Sequence, residues 1–211
     1  MSGRNPAPKR GYGGRSAEER RAERRDRLMR AGLELFGTRG YAATSIERLC
    51  TTAGVSTRNF YEEFGGREEL LLALFRRLNE RSLAAVAEAY AAASDADLPE
   101  RVERAVRAFV TTHAGDPRWA RLGFVEVIGV SPDLERRRLE LRERWAQTIL
   151  SLIDQAVARD EAPDRDYRLT AIALIGAVNN LVHHWSARGQ DIPLDAITAE
   201  LTHLILSSVT R

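Results

Sequence analysis

Three side chains with hydrogen-bonding chemistry, Arg58, Asn59 and Tyr61, lie together in a short segment that is predicted to be helical. At about 100° per residue, Phe60 and Phe64 share the face that packs inward, so Arg58 points outward with the other two on its flanks. Arginine can bond guanine O6 and N7, asparagine can bond adenine, and tyrosine can reach a phosphate or a thymine methyl group. We therefore favour DNA recognition over the alternative, a solvated helix of an ordinary bundle.

The elements that position these residues are two short helices joined by a tight glycine turn, which is a helix-turn-helix unit. Residues 44–47 read Thr-Ser-Ile-Glu, whose spacing is that of a capping box, and they predict a helix start. The helix behind them carries an apolar stripe of Ile46, Leu49, Cys50 and Ala53. Gly54 ends this helix, and Ser56 can cap the next one at residues 57–64.

Another capping box, from Ser16 to Glu19, predicts the start of the first helix, whose apolar stripe covers residues 28–36. Residues 1–15 contain many Gly and Pro residues and basic but no acidic side chains, so we expect disorder there. Five arginines come next. They form either a basic arm that touches DNA or a solvated surface that pairs with Glu19 and Glu23, and the sequence leaves both open. These arginines are Arg20, Arg21, Arg24, Arg25 and Arg27.

The remaining sequence also has helical character. Turn-forming residues divide it into segments of helical length. These breaks lie at 94–99, 115–117, 131–132, 162–163 and 189–193. No stretch shows the sustained alternation typical of strands, so we predict an all-α fold with about nine helices. No run approaches roughly 18 uncharged apolar residues, and the first residues lack an apolar signal segment. We therefore expect a cytoplasmic protein that makes no membrane contact.

Charge is unevenly distributed along the chain. Residues 1–77 hold 16 Lys and Arg against 10 Asp and Glu, whereas residues 78–211 hold 16 against 20. A basic end suggests a polyanion as partner. The sequence has no nucleophile elbow, no HExxH and no phosphate-binding glycine loop, so we expect no enzyme, no cofactor and no metal site. The single cysteine, Cys50, should be a small buried hydrophobe. A helical protein–protein adaptor with an incidental basic end is the alternative.

The order and spacing of residues over 22–82 resemble the TetR family of transcriptional regulators. The resemblance lies in Leu28-(x)6-Leu35-Phe36-(x)3-Gly40-Tyr41-(x)2-Thr44-Ser45-Ile46, Ala53-Gly54-Val55-Ser56, Phe60-Tyr61-(x)2-Phe64 and Arg67-Glu68-Glu69-Leu70. The C-terminal part matches only in length and helical character.

The resemblance implies a domain organisation and a function. A disordered basic tail at 1–21 would precede a three-helix DNA-binding domain at 22–82, which contains the helix-turn-helix at 45–64. A helical effector-binding and dimerisation domain would follow at 83–211. The implied function is that of a repressor that binds a palindromic double-stranded DNA operator as a homodimer and is released by a small-molecule effector.

The resemblance also implies roles for individual residues. The DNA-binding set would be Thr44, Ser45, Ser56, Thr57, Arg58, Asn59, Tyr61 and Arg67. Thr44 would place its hydroxyl against a phosphate, and Arg67 stands where the family usually has a phosphate-contacting lysine. Glu62 and Glu63 depart from the family pattern, because a carboxylate repels phosphate unless it accepts from a cytosine amine.

Two C-terminal segments carry a candidate dimer interface. Residues 171–178 are apolar all round, which predicts a helix buried on more than one side. The expected interface consists of Leu174, Val178, Leu181, Val182, Trp185, Ile197, Leu201, Leu204 and Ile205. An ordinary intramolecular core remains the alternative.

The middle segments are expected to enclose the effector pocket, because a few polar groups in an apolar wall are typical of a small-molecule site. The candidate lining residues are Phe109, Thr112, His113, Trp119, Phe124, Trp145, Ile149, Asn179, Asn180 and His183. A satisfied core or a dimer interface would give the same pattern, so the assignment of each residue stays open.

Overall fold

The computed structural model describes residues 16–188 and 191–210. This part of the chain contains nine α-helices, one π-helical turn and no strand, which confirms the predicted all-α fold. The elements are α1 (Ala17–Arg39), α2 (Ile46–Ala53), α3 (Thr57–Glu63), α4 (Arg67–Ala92), α5 (Leu98–Ala114), α6 (Pro117–Arg121), the π-helical turn (Leu122–Glu126), α7 (Pro132–Val157), α8 (Arg168–Ala187) and α9 (Leu194–Val209).

Helix α1 begins where the capping box predicts. The Ser16 hydroxyl accepts a hydrogen bond from the Glu19 amide at 3.0 Å, and the Glu19 carboxylate accepts one from the Ser16 amide at 2.6 Å. These bonds satisfy amide groups that lack a partner within the helix. The predicted tail boundary at residue 21 is therefore corrected, because residues 17–21 belong to α1. The predicted disorder of residues 1–15 lies outside the described residues.

Helices α1, α2, α3 and the first half of α4 share one apolar core. Its fully buried members include Leu28, Phe36, Leu49, Phe60, Phe64, Leu70 and Leu74. The same core continues through Trp119, Leu122 and Leu134, which belong to the C-terminal half of the chain. Burial of each large apolar side chain contributes about 1.5–3 kcal/mol, so this shared core holds the two halves together.

Helix α4 joins the two halves as one continuous element. It spans 26 residues and passes through residue 82, where the sequence predicts the division between domains. At about 1.5 Å per residue it is about 39 Å long. It packs against α1 in the N-terminal half and along α5 in the C-terminal half.

Helices α5, α8 and α9 contribute a second core in the C-terminal half. Val110, Val182, Trp185 and Leu201 are buried there. Helix α7 packs against α4 and α8. Within the described residues, no helix is both long and apolar enough to cross a membrane.

Two close approaches seat α6 and the π-helical turn on the N-terminal half. A Cβ atom at Gly37 would lie 2.5 Å from the Cβ of Arg118, and one at Gly123 would lie 2.7 Å from a Leu78 methyl carbon. The absence of a side chain at each glycine therefore permits tight packing of α6 on α1 and of the turn on α4. π-Helical turns are rare and are frequently found at functional sites.

Candidate functional site

The helix-turn-helix predicted at residues 45–64 has regular caps and a glycine turn. The Ser45 hydroxyl accepts from the Arg48 amide, and the Ser56 hydroxyl accepts from the Asn59 amide, both at 3.2 Å. Gly54 lies between the helices at φ 62° and ψ 42°, in the left-handed region that glycine adopts at little cost. The Ser56 hydroxyl keeps its own proton and can still donate to a phosphate, whereas the Ser45 hydroxyl donates to the Glu47 carboxylate and lowers the pKa of that group.

Helix α3 buries Phe60 and turns polar side chains outward, as its periodicity predicts. The Arg58 side chain is 89% exposed, and Tyr61 is 55% exposed. Thr57 is exposed in the first turn, and Asn59 is half-buried. We call Thr57, Arg58, Asn59 and Tyr61 the recognition face. Its contact with bases remains a prediction.

Glu62 lies beside Arg58 on the outer side of α3. One of its carboxylate oxygens is 3.4 Å from the Arg58 Nε atom, and both side chains are exposed. An exposed pair at this helical spacing is worth about 0.3–0.5 kcal/mol. A guanine edge or a phosphate can therefore displace Glu62 from Arg58.

Glu63 is buried on the other side of α3, where it holds arginines of α1. Its carboxylate accepts hydrogen bonds from Arg21 Nε at 3.3 Å and from Arg24 Nη2 at 3.2 Å. Its backbone carbonyl accepts one from Arg25 Nη1 at 2.9 Å. The expected repulsion between Glu63 and phosphate is therefore corrected, because this carboxylate is neutralised inside the protein.

The arginines of α1 thus have a role that neither alternative from the sequence included. Besides the contacts to Glu63, Arg27 Nη1 donates to the carbonyl of Gly54 at 3.2 Å. These bonds tie α1 to the turn and to the end of α3. The sequence does not reveal this role, because Arg21 and Arg24 are about forty residues away from Glu63 along the chain, with no local spacing to indicate the pairing.

One predicted phosphate contact is corrected, and a second acquires an additional role. Thr44 is buried, and its hydroxyl donates to the carbonyl of Gly40 at 2.8 Å, so it does not face a phosphate. The Arg67 guanidinium donates to the backbone carbonyls of Tyr41, at 3.2 Å, and of Thr44. It also lies over the Tyr41 ring, 4.9 Å from the centroid. Arg67 therefore orders the loop between α1 and α2 through Nη1, and its contact with phosphate remains a prediction.

A polar junction connects the π-helical turn to this loop. The Glu126 carboxylate accepts hydrogen bonds from the Tyr41 amide at 2.7 Å and from Arg121 Nε at 2.8 Å. Arg121 also donates to the Thr38 carbonyl at 2.8 Å. The sequence offered no indication of this junction, because its two sides are more than eighty residues apart along the chain.

The C-terminal half encloses a cavity of about 140 Å³, which we call the apolar chamber. Its walls come from α4, α5, α7, α8 and α9. Apart from the Tyr90 hydroxyl and the Asn179 amide, its lining side chains are hydrocarbon or indole. They include Val86, Val106, Ile149, Leu174, Val178 and Ile205.

A second cavity of about 250 Å³ adjoins the first, and we call it the polar chamber. Phe109, Trp145 and Asn179 line both cavities. The Trp145 indole donates to the Asn79 side-chain oxygen at 2.9 Å and meets the Phe109 ring edge-on at 5.4 Å. Other lining residues are His113, Phe124, Arg138, Arg142, Asn180 and His183.

Most of the predicted effector-pocket residues line one or both chambers. They are Phe109, His113, Phe124, Trp145, Ile149, Asn179, Asn180 and His183. Two predictions are corrected. The Thr112 hydroxyl donates to the Ala108 carbonyl at 2.8 Å, and Trp119 packs in the core that joins the two halves. Contact of the lining residues with an effector remains a prediction.

His113 is a buried, uncharged member of the polar chamber. Burial lowers the pKa of its imidazole to about 4. The Nδ1 atom lies 2.8 Å from the Phe109 carbonyl, so it carries the proton and leaves Nε2 as an acceptor. The ring packs between Phe109 and Phe124, with centroid distances of 4.4 and 5.1 Å.

The predicted dimer interface is corrected for most of its members, because they pack inside one chain. Leu174, Val182, Trp185, Ile197 and Leu201 are buried, whereas Val178, Leu181, Leu204 and Ile205 are half-buried. The outer face of α8 carries different apolar residues. Leu169 is 81% exposed and Ile172 is 55% exposed, with Ala173 beside them. Because α8 is apolar all round, its sequence could not show which side faces outward.

Comparisons with known proteins agree with this architecture. Residues 28–74 match the family described as bacterial regulatory proteins, tetR family, and residues 95–209 match a tetracyclin repressor-like C-terminal domain. The chain is 25% identical over 199 residues to the HTH-type transcriptional regulator EthR of Mycolicibacterium smegmatis, covering 93% of this chain and 91% of that protein. It is 28% identical over 180 residues to the HTH-type transcriptional activator FasR of the same species, covering 85% and 78%. A solved structure of FadR from Bacillus subtilis in complex with stearoyl-CoA superimposes with a TM-score of 0.78 at 19% identity, covering 87% of this chain and 98% of that one.

Proposed function

Because the chain belongs to the tetR family of bacterial regulatory proteins, we propose that it is a repressor that binds a palindromic operator as a homodimer and leaves it when a small-molecule effector binds. The chain is a DNA-binding transcriptional regulator and not an enzyme, in agreement with its relatives and with the resemblance seen in the sequence. The adaptor alternative is not favoured. We place its action on chromosomal DNA in the cytoplasm.

The recognition face carries the proposal. Arg58 and Tyr61 are exposed on a helix whose inner side is held by Phe60 and by Glu63. A rigid helix with free hydrogen-bonding side chains can enter a major groove and read base edges. Ser45 and Ser56 stand at the starts of their helices, where amide groups suit phosphate, and the Ser56 hydroxyl adds a further donor.

Dimerisation follows from the limited reach of one helix-turn-helix, which contacts few bases. Two copies related by a twofold axis would read the two halves of a palindrome. The exposed apolar face of α8, with Leu169 and Ile172, supports pairing through this helix, because large apolar side chains grouped at a surface favour association. In this proposal the halves at 22–82 and 83–211 remain the functional domains, connected by the uninterrupted helix α4.

The two chambers support an effector site in the C-terminal half. A relative with the same fold, FadR of Bacillus subtilis, forms a complex with stearoyl-CoA, which supports an organic effector for this chain as well. An effector acts only through its different affinities for the conformers that bind and do not bind DNA. The junction at Glu126 would connect the chambers to the helix-turn-helix.

The test begins with selection of genomic DNA fragments by the full-length protein, followed by fluorescence anisotropy on the selected sequence. Arg58→Ala should weaken specific binding about tenfold or more, because one bidentate base contact is worth about 1–3 kcal/mol. Arg144→Ala, which removes an exposed arginine from α7, is the matched control and should leave affinity unchanged. Failure to select any specific fragment at any salt concentration would contradict the proposal.

The sign of regulation needs a separate measurement, because one relative is named an activator. A reporter gene placed behind the selected operator should become more active when the regulator is deleted. Lower reporter activity in the deletion strain would instead identify an activator.

A further inference from the structure

The two chambers adjoin each other, and one is apolar whereas the other is polar. Phe109, Trp145 and Asn179 contribute to both linings. The Trp145 indole stands at the boundary, where its hydrogen bond to Asn79 fixes its orientation. A molecule that occupies both chambers must therefore carry a hydrocarbon part and a polar part joined end to end.

Two cationic side chains line the polar chamber. Arg138 and Arg142 line it, and within the part of the chain that the structure describes no carboxylate does so. His113 is neutral at pH 7 and adds no charge to this wall.

The two arginines differ in their partners. Arg138 donates to both carboxylate oxygens of Glu135, at 2.8 and 2.7 Å, so its charge is largely compensated. Arg142 is half-buried and forms no hydrogen bond or ion pair with any residue in 16–188 or 191–210, and its charge acts only electrostatically on the Glu135 carboxylate that Arg138 already holds. A partly desolvated cation is stabilised by a negative group that it can bond, and a guanidinium suits the planar oxygens of carboxylate or phosphate.

We propose that this site binds an anionic amphiphile, with its hydrocarbon chain in the apolar chamber and its carboxylate or phosphate group beside Arg142. That this binding regulates transcription rests on the proposed function, whereas the binding itself can be measured without DNA. Asn179 and Asn180, in the wall of the polar chamber, provide neutral hydrogen-bonding groups near the charged head.

The size of the apolar chamber sets the scale of the hydrocarbon part. A protein cavity of about 150 Å³ holds a benzene molecule, which has six carbons. The apolar chamber, at about 140 Å³, therefore accommodates a segment of about six carbons as it stands. We therefore expect an eight-carbon chain to be long enough to fill the apolar chamber and leave its head in the polar chamber.

The first experiment varies the head at constant chain length. Isothermal titration calorimetry of the full-length protein uses octanoate, octyl phosphate, 1-octanol and octyltrimethylammonium. The two anions should bind at least about tenfold more tightly than the alcohol, since a charge-assisted hydrogen bond exceeds a neutral one by that factor or more. The cation should bind most weakly. Comparison of the anions shows which head the site prefers.

The second experiment changes the protein. Arg142→Gln should weaken octanoate binding about tenfold and leave 1-octanol unchanged, because only the charged contact is lost. Arg144→Gln is the matched control, since it removes the same charge from the same helix on a side that faces the groove between α4 and α7. It should change neither ligand.

Three results would overturn the inference: equal binding of octanoate and octanol, octanoate binding that is indifferent to Arg142→Gln, or no binding of any octyl compound. If operator binding by the same preparation stays intact in these cases, the proposed function stands and only the ligand class fails. If octanoate binds through Arg142 but no operator is found, the ligand site stands and the proposed function fails.

Discussion

The carboxylate of Glu126 accepts a hydrogen bond from the backbone amide of Tyr41, with 2.7 Å between oxygen and nitrogen. Glu126 ends the π-helical turn, and Phe124, two residues earlier, lines the polar chamber. Tyr41 follows Gly40 at the start of the loop that leads into α2. A ligand against Phe124 is therefore separated by one short turn from a contact that helps to set the position of the helix-turn-helix.

Loss of this contact should uncouple the two halves of the chain. Glu126→Ala removes a largely buried charge-assisted hydrogen bond, which is worth about 1.5–3 kcal/mol of the free energy of unfolding. We expect urea unfolding at lower concentration and a smaller effect of octanoate on operator affinity in fluorescence anisotropy. Glu140→Ala, which removes an exposed carboxylate paired with Arg137, is the control. An octanoate effect of wild-type size in Glu126→Ala would contradict the coupling role.

Substitution of Glu62 should change how the recognition face reads DNA. Glu62→Ala removes the carboxylate beside Arg58 and the repulsion of phosphate, so we expect a changed operator preference or tighter non-specific binding. Binding to a panel of operator variants measures both. Glu63→Gln is the comparison, because it breaks buried bonds to α1 and should lower folding stability instead. Unaltered binding across the panel would make Glu62 a solvated residue only.

The outer face of α8 should control assembly. Ile172→Glu places a charge on an exposed apolar face, and we expect sedimentation equilibrium to show monomers that no longer bind a two-half-site operator. Leu139→Glu is a matched control, since Leu139 is a similarly exposed apolar residue on α7, and this variant should remain dimeric. A dimeric Ile172→Glu protein would place the interface elsewhere.

The length of the ligand's hydrocarbon chain should determine its affinity for the protein until the apolar chamber is full. From butanoate to octanoate, each added methylene should tighten binding by up to about fourfold, because about 0.8 kcal/mol is gained per buried methylene group. Calorimetry on the alkanoate series should then show a plateau. Val178→Phe, which adds volume to the chamber wall, should move the plateau to shorter chains. A steady gain up to stearate would mean that the chamber expands on binding.

His113 should make stability depend on pH in the acidic range. The pKa of its imidazole is about 4 in the folded chain and 6.5 in the unfolded reference, so the unfolded state takes up the proton first. The free energy of unfolding should therefore fall as pH decreases from 6.5 towards 4, by about 3 kcal/mol from this residue at the limit. Urea titrations between pH 7 and about 5 should show a weaker pH dependence for His113→Asn than for His203→Asn, whose side chain is exposed. Equal slopes would contradict this assignment.

Local patterns predicted the helices and the helix-turn-helix well. Ser16 and Ser56 cap the helices that follow them, and Gly54 forms the turn between α2 and α3. The alternation of Phe60 with polar neighbours predicted which side of α3 is buried. These features depend on residues only a few positions apart, so the sequence contains the whole pattern.

Contacts between distant segments were beyond such patterns. Nothing near Thr44 indicates that its hydroxyl turns inward or that Arg67 bonds the same loop. The apolar sequence of α8 predicted burial, but the side facing outward depends on how α7 and α9 pack against it. The sequence predicted most of the chamber-lining residues, because they lie on helices whose spacing it shows. That Arg142 has no hydrogen-bond partner within residues 16–188 and 191–210 could be seen only in the folded chain.

The hydrogen bonds from Arg24 and Arg25 to Glu63 hold α3 on the side opposite the recognition face. A genetic screen for lost regulation would consequently return changes at these two arginines together with changes at Arg58. Footprints inferred from such mutants would be too wide if these two arginines act only by holding α3 and do not contact the double helix.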